Sequence, residues 1–386
     1  MRTARRGLAK RKTKTMKILA LESYYGGSHK AFIDGWQANS QHDWTLLTLP
    51  PYKWKWRMRH AAITFAEQLR DLCDKGQSWD LIFCSDMLNL AEFLALAPKQ
   101  IQALPSIAYF HENQLTYPVR VESERDYQFA MTNMTTALAA KSVWFNSAFH
   151  RDSFLDALAD FLKRMPDFQP TQAIDQIKNK SQVHPPGINK ITPPDGDRKP
   201  GPARILWCAR WEHDKKPEDF FKAMKILKKQ TDKFRISVIG EQFRDVPEVF
   251  SWAKNYFADH IDNWGYQPDK NKYHQILYES DIIVSTADHE FFGISVVEAI
   301  AAGTYPMFPK RLSYPEILQL DTNKQAERFF YDGTVEDIAE KLTDLIQRTE
   351  QNNLWENDKT IAQKLAQRFE WSSLAPKLDQ AAKNII

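Results

Sequence analysis

Cysteine and long apolar runs are scarce in this chain of 386 residues. The three cysteines, Cys73, Cys84 and Cys208, are scattered, and each lies in or beside an apolar run. This distribution excludes a disulfide framework or a cysteine metal site and favours reduced core thiols in a cytosolic protein. No stretch approaches the roughly 20 apolar residues of a membrane span. Apolar and charged contents of 43% and 26% are typical of a globular protein, and the length allows two domains.

Acidic residues are absent from residues 1–15, which hold seven lysines and arginines. Without this tail the net charge of +3 becomes −4, so the rest of the chain is mildly acidic. The tail lacks the apolar centre of a secretory signal. A nucleic-acid-binding arm is one interpretation. We favour a disordered solvated segment or an upstream start codon, with folded sequence beginning at Met16.

Short apolar runs alternate with longer segments of helical length and pattern. This alternation predicts βαβ units and parallel sheets with helices on both faces. The runs are apolar on nearly every residue, as buried parallel strands are. The predicted strands are 16–22, 44–50, 79–85, 106–112 and 142–147, followed by 203–210, 234–240, 260–265 and 281–287.

The pattern stops between residues 183 and 204, where six prolines and three glycines prevent a regular element. We therefore predict an α/β protein with two Rossmann-like doubly wound domains facing across a cleft. The domains span 16–185 and 203–365, the linker spans 186–202, and residues 366–386 form a helix that packs back on the first domain. Ligands of such sheets bind outside the carboxyl ends of the strands.

Two loops of the first domain carry candidate site residues. Gly26 and Gly27 follow the first predicted strand and allow a ligand to approach the backbone, with Ser28 as a helix cap. A tight turn with an N-cap explains them equally well. His111 opens a polar run that continues through 112–114 after the fourth strand. A single histidine is more often structural, but four consecutive polar side chains at a predicted cleft favour function.

The second domain carries candidate anion ligands. Arg210 ends a predicted strand and Lys215 precedes a helix, so the two cations could hold a diphosphate. The amides of Phe292, Gly293 and Ile294 lie near the start of a later helix, which favours an anion. Solvated surface cations are the alternative for the two basic residues.

Glu290 and Glu298 stand eight positions apart, the first in a loop and the second inside a helical run. Glu290 could reach a sugar hydroxyl in the cleft. Glu298 could reach two vicinal ribose hydroxyls. The two acids would then hold opposite ends of one extended nucleotide-sugar, with the diphosphate between them. A capping acid and a solvated helix acid are the alternative.

Cations and aromatic residues alternate within residues 49–60, LPPYKWKWRMRH. Cations for phosphates beside rings for stacking suit single-stranded RNA. An edge strand or a helix edge with one packed face would give the same alternation. The candidate RNA contacts are Lys53, Trp54, Lys55, Trp56, Arg57 and Arg59.

These residues carry a resemblance. Glu290 and Glu298 match the E-x7-E motif of retaining GT-B glycosyltransferases, broadly glycosyltransferase family 4. Arg210 and Lys215 match the phosphate-binding pair of that family. Most of residues 16–380 is similar to the tRNA-queuosine mannosyltransferase family. The segments that carry this closer likeness are ESYYGGSHK (22–30), LPPYKWKWRMRH (49–60), YFHENQLTYPV (109–119), RWEHDKKPEDFF (210–221) and HEFFGISVVEA (289–299).

The resemblance implies a cytoplasmic GT-B enzyme that moves mannose from GDP-mannose to queuosine in the anticodon of a tRNA, tRNA-Asp in the family. It implies contacts of Glu290 and His111 with the donor hexose and of Glu298 with the ribose. The resemblance implies no metal or cofactor. DGD at 195–197 mimics a D-x-D metal motif, but it lies in the linker and is discounted. The alternatives are a related transferase with a lipid or glycan acceptor and a non-catalytic RNA-binding relative.

Overall fold

The computed structural model describes residues 15–119, 125–191, 201–243, 245–356 and 360–386. Its strands form two six-stranded sheets, in which every pair of neighbouring strands runs parallel. The first sheet contains β1 (Lys17–Glu22), β2 (Asp43–Thr48), β3 (Leu81–Ser85), β4 (Ser106–Phe110), β5 (Ser142–Phe145) and β6 (Ser181–Val183). The second contains β7 (Ala203–Cys208), β8 (Phe234–Ile239), β9 (Ile261–Gly265), β10 (Ile282–Val284), β11 (Tyr305–Pro309) and β12 (Phe330–Tyr331).

Helices connect the strands. In the first half they are α1 (Gly27–Asn39), α2 (Trp54–Asp74), α3 (Leu90–Leu96), α4 (Lys99–Gln102), α5 (Tyr127–Ala139), α6 (Ala148–Lys163) and α7 (Gln172–Asn179). In the second they are α8 (Pro217–Lys228), α9 (Val249–Tyr256), α10 (Lys270–Glu279), α11 (Ile294–Ala301), α12 (Tyr314–Ile317), α13 (Val335–Glu350), α14 (Thr360–Gln367) and α15 (Trp371–Lys383). None of the helices in the described ranges is long and apolar enough to cross a membrane.

All nine predicted strands are present, and three further strands were not predicted. β6 reads Ser-Gln-Val and lies at a sheet edge, so it has no apolar run to detect. β11 reads YPMFP, and its prolines argue against a strand inside a sheet. β12 is only two residues long. Several predicted strands extend beyond the observed ones, because the polar residues after each strand belong to the loops.

The first sheet is buried on both faces. Leu19 and Leu21 of β1 join one apolar cluster, while Ile18 and Ala20 join another on the opposite face. This two-residue alternation is that of a pleated strand covered on both sides. The second cluster includes residues from the far end of the chain, in α15. That helix therefore completes one side of the first domain.

Trp371, the first residue of α15, lies tightly against the first domain. A Cβ atom placed on Gly35 would lie 2.1 Å from its ring, and one on Gly187 would lie 2.4 Å from it. The Trp371 amide donates to the Ile188 carbonyl (3.0 Å), and the Ile188 amide donates to Phe369 (2.8 Å). Two glycines thus make room for the ring where the chain returns from the second domain.

Both sheets reverse their strand order beside their first strand. The first sheet runs β2-β1-β3-β4-β5-β6, and the second runs β12-β11-β10-β7-β8-β9. The reversals lie between β1 and β3 and between β7 and β10. Ligands of open α/β sheets bind at such switch points. All three cysteines are free, as predicted. Residues 1–14 of the basic tail and the DGD segment lie outside the described residues.

We expect Gly35→Ala to destabilise the fold by about 2 kcal/mol, the range of overpacked cores. Alanine in a helix interior normally gains roughly 0.5–1 kcal/mol over glycine, so the sign of the effect identifies the collision with Trp371. Denaturant unfolding measures the change in free energy. In a double-mutant cycle, Trp371→Leu should be less costly in the Gly35→Ala background than in the wild type. A stabilised Gly35→Ala variant would show that the ring does not occupy this space.

Candidate active site

The carboxyl ends of the two sheets face each other, and their loops touch. The Arg210 guanidinium, beyond β7, donates to the Tyr117 hydroxyl beyond β4 (3.3 Å). The Ser147 hydroxyl, beyond β5, donates to the Phe291 carbonyl (2.6 Å). The His150 ring stacks on Phe291 at 3.9 Å between centroids. The predicted cleft is therefore formed by loops that follow strands of both domains.

A buried ion pair lies at the first switch point. Glu22 ends β1, and its Oε1 lies 3.2 Å from Nδ1 of His29 in α1. The same oxygen accepts hydrogen bonds from the Ser85 hydroxyl (2.9 Å) and the Tyr24 amide (2.8 Å). Burial opposes charge on His29, but the Glu22 carboxylate outweighs it and raises the pKa of His29 to about 9. His29 is therefore an imidazolium at neutral pH.

His111 lies against this ion pair. Its ring is 4.0 Å from that of His29 between centroids, and its amide donates to Asp86 Oδ1 (2.9 Å). Burial, with the nearby His29 and His150, lowers the pKa of His111 well below its usual range. Burial raises the pKa of Asp86 to about 8. His111 is consequently a neutral imidazole, and its Nε2 has no hydrogen-bond partner.

Among the described residues, one group offers metal-ligand atoms close together. It consists of Glu22, His29 and His111, whose candidate ligand atoms lie within 4.8 Å of one another. The sequence analysis did not expect such a group. The two rings are tilted by 30° from each other. They form a stacked pair in which His29 is an imidazolium and His111 is neutral.

Gly26 and Gly27 stand between β1 and α1. A Cβ on Gly26 would lie 2.4 Å from Pro51, so packing alone requires this glycine. Gly27 has φ of +51°, and no atom lies within 4 Å of the position of its missing Cβ. The space in front of Gly27 is open to a ligand. Ser28 lies inside the helix and does not cap it, because the N-cap is Gly26.

Lys215 is buried in the second domain, contrary to the solvated-surface alternative. Its ammonium donates to the His289 carbonyl (2.6 Å) and lies 3.1 Å from Asp214 and 3.3 Å from Glu290. The side chain is 4% exposed. An ammonium has three protons, and three oxygens already surround it. A further acceptor must displace one of them, and the Glu290 contact is the longest.

Arg210 is more accessible than Lys215. Its Nε lies 3.3 Å from the Glu212 carboxylate, and its side chain is 39% exposed. Since β7 and β10 are neighbouring parallel strands, the loops bearing Arg210 and Glu290 lie side by side at the second switch point. Both predicted cations therefore lie at the cleft edge of the second sheet.

Glu298 occupies a different environment from Glu290. Its Oε2 accepts a hydrogen bond from the Tyr273 hydroxyl (2.8 Å). Burial raises its pKa above the usual range, while the Tyr273 hydroxyl acts in the opposite sense. Burial also raises the pKa of the adjacent Cys208 thiol to about 12, so that thiol stays neutral. The two acids have separate partners and no mutual contact.

α11 begins at the cleft. Gly293 is its N-cap with φ of +92°, a left-handed conformation that suits glycine. The Ser295 hydroxyl donates to the Cys208 carbonyl (3.0 Å), which ties the first turn to the end of β7. The amides around Phe292 and Ile294 therefore lie near Arg210. Helix amides at this end attract anions.

Residues 54–60 of the basic-aromatic stretch form the start of α2 and residues 49–53 lead into it, so the edge-strand alternative is wrong. Lys53, Lys55 and Arg59 are exposed. Trp54 packs half-buried against Phe129 at 5.0 Å between ring centroids. The stretch thus presents some of its predicted RNA contacts to solvent and packs others.

Arg57 does not have the accessible guanidinium that the sequence suggested. The side chain is 7% exposed. Its Nε donates to the Pro50 carbonyl (3.0 Å) and its Nη1 lies 2.8 Å from His60. Arg57 therefore packs beneath the exposed residues of this stretch, and its guanidinium is used in contacts within the protein.

Several site residues escaped the sequence analysis. These residues lie beside apolar runs or inside helices, and no sequence pattern of their own marks them. They are Glu22, His29, Asp86, Tyr117 and Tyr273. The one available signal was position at the end of a strand: Glu22 is the last residue of β1, and Asp86, like His111, directly follows a strand.

The chain is similar to known glycosyltransferases along both halves. Residues 17–188 match the family model described as tRNA-queuosine alpha-mannosyltransferase N-terminal, and residues 190–360 match glycosyl transferases group 1. A tRNA-queuosine alpha-mannosyltransferase of Drosophila melanogaster is 37% identical over 313 residues, which cover 78% of this chain and 81% of that relative.

Solved structures support the fold. A glycosyltransferase from Rickettsia africae superposes with a TM-score of 0.66 at 16% identity, covering 97% of this chain and 99% of that one. Anabaena HepE, solved with UDP and glucose, gives 0.65 at 14% identity, covering 96% and 100%. At such identities the likeness shows the architecture alone, a GT-B fold of two Rossmann-like domains.

The Glu22–His29 pair makes stability depend on pH in a defined direction. Because the pKa of His29 is raised from 6.5 to about 9, its protonation stabilises the fold fully below pH 6.5, and this contribution is lost as pH rises through 9. The difference in unfolding free energy between wild type and His29→Gln should therefore shrink from pH 6.5 to 9.

His42→Gln is a matched control for that measurement. Burial lowers the pKa of His42, so its contribution changes only below about pH 6.5. Denaturant titrations at several pH values compare the three proteins. If the unfolding free energies of wild type and His29→Gln changed in parallel with pH above 6.5, His29 would have to be neutral in the folded protein.

Proposed function

Since this chain belongs to the tRNA-queuosine alpha-mannosyltransferase family, we propose that it moves mannose from GDP-mannose to queuosine in the anticodon of tRNA-Asp. The activity is that of a retaining glycosyltransferase. The three free cysteines and the tRNA acceptor fit a reaction in the cytosol.

One observation carries this proposal more than any other. The alignment with the Drosophila relative covers 78% of this chain, so it must include both the half that carries Arg210, Lys215 and the two acids and the half that carries His111. A shared donor domain alone would fit many transferases. Likeness of the acceptor half as well supports a shared acceptor.

We place the donor diphosphate between Arg210, Lys215 and the start of α11. Arg210 offers a planar fork and α11 offers amide donors, and both lie at the second switch point. These groups oppose the charge that builds on the leaving phosphate oxygen. Glu298 then receives the ribose hydroxyls, and Glu290 and His111 receive the hexose.

Donor binding should exchange the partners of Lys215. A phosphate oxygen that reaches this ammonium displaces Glu290, its most distant partner at 3.3 Å. The released Glu290 carboxylate is then free to accept a hydrogen bond from the hexose. The contact between Lys215 and Glu290 thus holds the acid in place until the donor arrives.

The chemistry needs no protein nucleophile. The bond from the anomeric carbon to the phosphate oxygen breaks, and an acceptor hydroxyl attacks the same face. Its proton passes to the leaving phosphate oxygen, so charge and atoms balance. Positioning and electrostatic stabilisation by the residues above supply the rate. We propose that no metal takes part, since Arg210 and Lys215 supply the positive charge.

For the acceptor, we propose that Lys53, Lys55 and Arg59 bind tRNA phosphates. All three are exposed at the start of α2. Residues 16–386 carry a net charge of −4. A cluster of exposed cations therefore differs in sign from the net charge of the remaining chain. Affinity for tRNA should therefore fall steeply with salt.

Incubation of the purified protein with several nucleotide-sugars and queuosine-containing tRNA tests the function. Nucleoside mass spectrometry should detect a hexose on queuosine with GDP-mannose, and none on tRNA that carries guanosine at the same position. Turnover should persist in excess EDTA. Transfer to lipid or glycan acceptors only, or no transfer with any donor, would refute the proposal.

The partner exchange at Lys215 predicts that substitutions of Glu290 and Glu298 affect different quantities, kcat for the first and GDP affinity for the second. Glu290→Gln should lower kcat about 10²-fold but leave GDP affinity unchanged or raise it, because Lys215 becomes easier to reach. Glu298→Ala should weaken GDP binding, because it removes the ribose contact. Calorimetry with GDP and turnover assays measure both quantities.

Glu327→Gln is the matched control, because Glu327 is an exposed acid of the same domain that pairs with Lys310. It should change neither quantity. Weaker GDP binding by Glu290→Gln would contradict the exchange, and unchanged GDP affinity in Glu298→Ala would contradict the ribose contact.

A further inference from the structure

We propose that Tyr52 and Trp56 form a platform of two rings on which unpaired bases of the RNA acceptor stack. The platform deepens the proposed function and rests on it. Tyr52 stands just before α2 and Trp56 lies in its first turn. Tyr52 carries none of the roles assigned so far.

Both rings are exposed, with relative exposures of 57% for Tyr52 and 61% for Trp56. Large aromatic side chains usually lie in the core or cover part of it. Here two of them stand in solvent four residues apart, so each ring can offer one flat face to a planar partner.

Each ring has a support on its inner side. The Arg57 guanidinium lies 4.6 Å from the centroid of the Tyr52 ring. The His60 ring lies 4.9 Å from the Trp56 ring and is tilted by 31° from it. The two supports contact each other, because Arg57 Nη1 lies 2.8 Å from His60 Nε2. The four side chains therefore form one unit.

This unit is fixed to the backbone and to α2. Arg57 Nε donates to the Pro50 carbonyl (3.0 Å), and His60 Nδ1 lies 2.9 Å from the Thr64 hydroxyl. Burial and the nearby Arg57 lower the pKa of His60. A neutral His60 accepts from Arg57 at Nε2 and donates to Thr64 from Nδ1. Rings held in this way lose little freedom when a base stacks on them.

The position of the platform suits an acceptor RNA. The Tyr25 amide donates to the Leu49 carbonyl (2.9 Å), and Gly26 packs on Pro51. The segment before Tyr52 therefore lies beside the loop that leads to His29 at the first switch point. Bases stacked on the platform would flank a nucleotide that enters the cleft.

RNA fits this surface better than a protein or a membrane does. Lys53 and Lys55 stand beside the rings and are exposed, which matches a chain of phosphates with bases alongside. Every base has a face that can stack, so two rings bind unpaired nucleotides without requiring a particular sequence. A protein partner would need a larger apolar area than two separate rings.

Binding of two RNAs tests the platform. One is a hairpin with the seven-base loop of an anticodon arm, and the other is a fully paired duplex of the same length and charge. Tyr52→Ala and Trp56→Ala should each weaken hairpin binding roughly 10-fold with an unchanged salt slope, because stacking releases no counterions. Neither should change duplex binding. Tyr52→Phe keeps the ring and should bind as the wild type does.

Two controls separate stacking from charge and from general surface effects. The double variant Lys53→Ser, Lys55→Ser should weaken binding of both RNAs. It should also make the fall of affinity with salt concentration less steep. Phe168→Ala removes a ring that is 96% exposed in the loop between α6 and α7, and it should change nothing. Fluorescence anisotropy of labelled RNA provides the affinities.

Equal hairpin affinity in wild type, Tyr52→Ala and Trp56→Ala would overturn the platform, as would equal losses on hairpin and duplex. These outcomes differ from failure of the proposed function. That function fails if wild-type protein transfers no hexose to queuosine-containing tRNA, whatever the affinities of the variants.

Discussion

The docking of α15 on the first domain depends on the packing of Trp371 between Gly35 and Gly187. Its ring occupies the space that side chains at these two positions would fill, and its amide binds the Ile188 carbonyl of the connecting segment. The helix that follows then covers one face of the first sheet. This contact therefore ties the segment that returns from the second domain to the first, while the contacts of Ser147 with Phe291 and of Arg210 with Tyr117 join the domains at the cleft.

The cleft itself is organised by charge at two switch points. On one side, a buried carboxylate holds His29 as an imidazolium, and burial with the nearby histidines keeps His111 neutral. On the other, Lys215 is surrounded by oxygens and Arg210 remains partly open. In the reaction proposed above, the neutral imidazole would meet the sugar, and the cations of the opposite domain would meet the phosphate. That division would separate hydroxyl recognition from charge stabilisation.

Apolar runs were sufficient to locate nine of the strands in the two sheets, because buried parallel strands are apolar on nearly every residue. They could not locate β11, whose prolines contradict a strand. The place of His111 and Arg210 at the cleft was predictable, because both residues follow strands. His29 and Tyr117 were not, because their importance comes from neighbours distant in sequence. The alternation in residues 49–60 suggested four equivalent cations, but helix geometry turns Arg57 inward and leaves Lys53 and Lys55 outside.

The return of α15 to the first domain also constrains the order of folding during synthesis. The apolar cluster on one face of the first sheet includes Trp371, Leu374 and Leu378, and the Trp36 indole donates to Asp379 (2.8 Å). The first domain leaves the ribosome before α15 has been translated. Part of its core therefore remains exposed to solvent until synthesis of the second domain is complete. Until α15 docks, this part of the apolar cluster stays exposed, so the first domain is the last to be completed.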